Sequence, residues 1–127
     1  MSQKEFIYKQ HEENVEWSNK LNFYKDEIKI LQHRLEEIAG KNNQKEVLAL
    51  VEQFQNQLLI HRNTIDEIQH NITLSEDKLQ EEIKREPVAT DHRKMEYHQA
   101  EKEDLEIFEK VFNELREEFN RFAAKWM

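Results

Sequence analysis

Cysteine is missing from this chain of 127 residues, and glycine and proline occur once each, as Gly40 and Pro87. With no cysteine there is no disulfide and no thiol nucleophile, which suits a reducing compartment and makes the cytoplasm the expected location. The scarcity of glycine and proline excludes a β-rich fold, because hairpins and tight turns draw on those two residues repeatedly. Long apolar runs are also lacking. Nothing approaches the roughly 18 consecutive apolar residues of a membrane span, and the opening MSQKEFIYKQ has no apolar stretch like that of a signal peptide, so neither insertion nor export is expected.

Basic surface is the third absence. The formal net charge is −8, and no helix-length segment offers a basic face. Clustered Lys and Arg supply most of the affinity for phosphate backbones and for anionic lipid headgroups, so no nucleic-acid or membrane partner is expected. There is no glycine-rich phosphate loop, and Ser2, Ser18 and Ser75 lie in no recognisable nucleophile motif. The chain does not read as an enzyme, and no cofactor is expected.

What is present is a periodic pattern. Charged residues make up 36% and hydrophobic ones 37%, and the apolar positions step by three and four over long stretches, as amphipathic helices require. The first segment gives Trp17, Leu21, Tyr24, Ile28, Leu31, Leu35 and Ile38. The second gives Val47, Val51, Phe54, Leu58, His61, Ile65, Ile68, Ile72, Ser75 and Leu79. The third gives Leu105, Phe108, Phe112, Leu115, Phe119, Phe122 and Trp126. The breakers divide them: Ser2-Gln-Lys-Glu5 and Asn43-Gln-Lys-Glu46 have the form of helix-starting capping boxes, Gly40 can end a helix in a left-handed conformation, and Pro87 stops one before Thr90 or Asp91 caps the next. The expectation is an all-α fold of three long antiparallel helices, over about 3–39, 44–85 and 91–125, in one left-handed up-down-up bundle of coiled-coil character. The pattern is similar to that of spectrin-type three-helix repeats, Trp17 on the first helix included. That likeness implies the fold and carries no activity with it.

Phase then sorts the polar residues. Glu67-Ile-Gln-His70 has the Glu-x-x-His spacing used by di-metal bundles, but with Ile65 and Ile68 on the seam both side chains turn outward. His61 occupies the seam itself, between Leu58 and Ile65, and is expected to be a histidine satisfied within the core or a device that fixes helix alignment. Ser75 is the other polar interruption of that seam. Aligning helices 2 and 3 antiparallel sets Ser75 near Glu101, Leu79 near His98 and Leu58 near Phe119. The end of the bundle near Pro87 is therefore mixed, with Gln10, His11, Asn14, Ser75, His98 and Glu101 in or beside the seam. His98 and Glu101 lie one turn apart, and with His11 from helix 1 they form an alternative metal site; the commoner origin of such a trio is a wet bundle end.

Surplus apolar residues point to a partner. Phe23, Ile30, Leu59, Ile60 and Ile107 fall at outer positions, and as a group they suggest a face covered by another helix, most simply from a second copy. The expected function is a non-enzymatic structural or adaptor protein that binds itself, as a homodimer, or another helical protein. The alternative is a small ligand- or metal-binding bundle that uses its polar end.

Overall fold

A computed structural model describes residues 3–85 and 92–127. Among them the chain forms three helices and no strand: α1 (Gln3–Lys41), α2 (Lys45–Arg85) and α3 (His92–Trp126). The helices are 39, 41 and 35 residues long. At about 1.5 Å per residue each runs for roughly 50 to 60 Å. Glu and Lys recur through all three, and these unbranched side chains lose little rotamer freedom in a helix.

Cross-helix pairs fix the topology. His11 and Asn14 meet Glu76, Asn22 meets Gln69 and Lys25 meets Asp66, so α1 and α2 run antiparallel. Glu13 meets His98, Tyr24 meets Glu109 and Glu27 meets Arg116, so α3 runs parallel to α1. The result is an up-down-up bundle in which every helix touches the other two. The apolar seams form one continuous core from Trp17 to Ile38 on α1, Val47 to Ile72 on α2 and Leu105 to Phe122 on α3. Helices of this kind are marginal in isolation, and burial of about 1.5 to 3 kcal/mol per large side chain is what holds them as a set.

Helix ends depart from the sequence expectation in two places. Gly40 is not left-handed, since no residue among those described has a positive φ, and α1 continues through it to Lys41. The stop is made by Asn42 instead, whose side-chain amide donates to the Ile38 carbonyl at 2.8 Å and to the Trp126 carbonyl at 3.1 Å. One asparagine thus satisfies an orphan carbonyl at the end of α1 and ties the hairpin to the end of α3. The second helix starts one residue later than expected. Its first backbone bond runs from Leu48 N–H to the Gln44 carbonyl, which makes Gln44 rather than Asn43 the capping position. The expected caps at Ser2, Thr90 and Asp91, and the break at Pro87, lie outside the described residues.

Because Gly40 is helical and a Cβ built there meets nothing within 4 Å, it contributes chain entropy to the unfolded state without using its conformational freedom. Gly40→Ala should stabilise the bundle by about 0.5 to 1 kcal/mol, seen as a higher midpoint in urea with an unchanged slope.

Candidate functional site

Three polar features interrupt or border the apolar seams, two side by side at the middle level of the bundle and one at its end. The middle level is aromatic. Tyr24 on α1 packs edge-on against Phe108 and Phe112 on α3, with centroids 5.3 and 5.2 Å apart. His61 on α2 presents its ring edge to the same two phenylalanines, at 5.7 Å from each. The expected seam histidine is therefore a half-buried member of an aromatic cluster that joins all three helices. Burial lowers its pKa below the usual 6.5, so at neutral pH the ring is held uncharged.

Beside this cluster lies a charged lattice between α1 and α3. The Tyr24 hydroxyl donates to Glu109 at 2.9 Å, and Lys20 pairs with the other oxygen of that carboxylate at 3.2 Å. Two turns along, Arg116 clasps Glu27 with two nitrogens and stacks over Phe112 at 5.1 Å. Burial, reinforced by the bond to Glu109, pushes the Tyr24 phenol up to about 12, and the Glu27 carboxylate raises the Arg116 guanidinium further. Sequence reasoning passed over this lattice. A signal was present: Lys20 and Glu27 are seven residues apart beside one seam, and Glu109 and Arg116 are seven apart, with opposite charge order, beside the other.

The third feature is the polar end. Among the described residues, Gln10, Asn14, His98 and Glu101 are its buried polar side chains, each at most 9% exposed. His98 stacks on Trp17 with centroids 4.6 Å apart and directs Nε2 to a Glu13 oxygen at 3.1 Å. Asn14 donates from Nδ2 to Glu76 at 2.8 Å. Ser75 hydrogen-bonds to Glu101. Burial pushes the Glu101 carboxyl up to about 7 against the opposing bond from Ser75, and the nearby Asp104 charge adds to the rise. Glu76 moves the other way. Burial alone would raise it, but hydrogen bonds from Asn14, Gln80 and His11 outweigh that and hold it below the ordinary carboxylate range.

The expected trio of His11, His98 and Glu101 is only partly assembled here. His98 and Glu101 are together in the seam, whereas His11 is exposed and pairs with Glu76 across the α1–α2 joint. The reason is helical phase: His11 lies on the side of α1 that faces α2, while His98 reaches α1 at Glu13, on the side that faces α3. Glu67 and His70 are both exposed, as their phase demands. Among the described residues no three His, Asp or Glu side chains are grouped to hold a metal ion.

The outer apolar residues are where the pattern sets them. Phe23, Ile30, Leu59, Ile60 and Ile107 are between 52% and 69% exposed, and Tyr8, Val15, Leu74 and Val111 join them. No described helix is long and apolar enough to cross a membrane. Comparison with family models, curated proteins and solved structures finds no match to this chain.

Glu101 and His61 should act in opposite directions. Glu101 has a folded pKa above its unfolded one, so its contribution is present below about pH 4.5 and lost as pH rises through about 7. Glu101→Gln should recover that loss, on the order of 3 kcal/mol at pH 8, in urea unfolding carried out with chelator present. His61 has a depressed folded pKa, so its contribution is present above 6.5 and lost as pH falls. His61→Leu should flatten the acid limb of the stability profile below pH 6.5 and leave the alkaline limb unchanged.

Proposed function

We propose that this chain is a non-enzymatic structural or adaptor protein, acting through the outer faces of its long helices on a second copy of itself or on another helical protein. One observation carries the reading: large apolar side chains stand in water although the seams are complete without them. Phe23 is 69% exposed, Ile60 62% and Ile107 63%. Single exposed apolar residues are ordinary, but these recur along all three helices at outer positions where Glu, Lys or Gln would fold as well. An acidic surface and the lack of cysteine suit a coiled-coil-like protein of the cytoplasm.

The polar end supports a second reading, a small bundle that binds a ligand or a metal. Polar groups buried to this degree without partners each cost about 1 to 3 kcal/mol, and a structure retains them at that cost for a reason.

Self-association is the first arm to test. Light scattering at micromolar concentration should give twice the chain mass of 15.6 kDa. The double variant Phe23→Lys with Ile30→Lys should shift the equilibrium to monomer by at least tenfold, while changing unfolding free energy by no more than about 0.5 kcal/mol per site. A wild-type monomer eliminates the homodimer. Pull-downs from the native cells with wild type and the same variant then decide the rest: loss of one specific protein supports the adaptor reading, and an identical catch refutes it for this face.

A further inference from the structure

Among the described residues, five buried side-chain atoms at the polar end have no hydrogen-bond partner: Gln10 Nε2 and Oε1, Asn14 Oδ1, His98 Nδ1 and Glu101 Oε2. Their chemistry is lopsided. Asn14 Oδ1, Gln10 Oε1 and the Glu101 oxygen carry lone pairs. His98 Nδ1 does too in the tautomer that donates Nε2–H to the Glu13 carboxylate. Gln10 Nε2 alone is a donor. A layer this rich in acceptors calls for a donor or a cation as its complement.

The other end of each acceptor side chain is already fixed. His98 is oriented by Glu13 through Nε2, Asn14 by Glu76 through Nδ2, and Glu101 by Ser75. Carboxylate on the far nitrogen of a histidine, and hydrogen bonds behind each oxygen ligand, are the outer-shell pattern that aims ligating atoms at a metal. The same contacts set the three at one level of the bundle. Adjacent residues of α2, Ser75 and Glu76, hold Glu101 and Asn14, and adjacent residues of α1, Glu13 and Asn14, hold His98 and offer the oxygen.

From these contacts we propose that the polar end binds a divalent first-row transition-metal ion through His98 Nδ1, Glu101 Oε2 and Asn14 Oδ1, with Gln10, one turn along α1, supplying a fourth oxygen. This rests on the second functional reading and replaces His11 in its ligand set with Asn14. One imidazole, one carboxylate and amide oxygens form a borderline-hard donor set, suited to Mn²⁺, Fe²⁺, Co²⁺ or Zn²⁺ and not to a thiophilic ion. Amides bind more weakly than carboxylates, so the affinity is moderate, and the acidic surroundings of Glu13, Glu76 and Asp104 offset part of the ion's charge.

The test uses the full chain, stripped with chelator and unfolded thermally at pH 8 in the presence of Mn²⁺, Co²⁺ or Zn²⁺. At least one ion should raise the wild-type Tm by about 5 to 10 °C at a hundredfold excess over its Kd. Co²⁺ should add visible absorption bands that Glu101→Gln abolishes while keeping its fold. Asn14→Asp, which converts an amide oxygen to a carboxylate, should bind the same ion at least tenfold more tightly. If no ion shifts the wild type, the layer is filled by water or protons and the proposal fails. It fails equally if Glu101→Gln shifts as much as wild type, because the ion is then on exposed histidines such as His33 or His70. Native mass recorded on the same samples separates this result from any change in self-association.

Discussion

Each helix of this bundle holds its neighbours chiefly through one apolar face. Elements of 35 to 41 residues have a great deal of surface for the apolar area they can bury, so the unbroken three-and-four spacing of the seams is the condition on which everything else rests. A polar residue on the outside of such a helix is solvated at no cost. The same residue on the seam must find a partner among a handful of side chains at its own level. That is why the chemistry of the molecule is confined to the few places where the seam departs from Leu, Ile, Val and Phe.

The three departures are resolved by different means. His61 is accommodated by aromatic edges and by staying neutral, a solution that needs no second polar group. Tyr24 keeps its ring in the core and passes its hydroxyl to Glu109 at the rim, where Lys20 completes the pair. The lattice of Lys20, Glu27, Glu109 and Arg116 fixes the lengthwise alignment of α1 and α3, two helices not joined by any short loop. A slip of one turn would set Glu27 against Asn113 or Asn120 and leave Arg116 without its carboxylate. The polar end follows neither pattern, since its side chains are half satisfied and half unpartnered.

Much of this was legible in the residues, and the failures have physical causes. Seam residues such as Ile28, Leu58 and Phe112 announce themselves by spacing, because period alone decides which side of a helix is dry. Ser75 opposite Glu101 was readable as well, by running two antiparallel seams past each other. His11 was misplaced because a neighbour in sequence on a helix points about 100° away, so proximity to a mixed seam does not mean membership of it. Gly40 misled for another reason. Its ability to adopt a left-handed conformation is a licence, and an asparagine two residues later had already stopped the helix. Asn42 itself gave no warning, since its second acceptor, the Trp126 carbonyl, lies at the far end of the chain.

The two ends of the bundle therefore differ in what it costs to open them. Towards Asn42 the three helices are locked by Val47, Val51, Phe54, Phe119 and Phe122, with the loop tied to the last turn of α3. Towards Gln10 and Glu101 separation lets water reach atoms that have no partner inside. Amide protons should accordingly exchange along a gradient, slowest around Leu58 and Phe112 and fastest near Asn14 and Glu101. A bundle that breathes from one end has a built-in direction, and the residues that meet solvent first are those at which the seam carries chemistry.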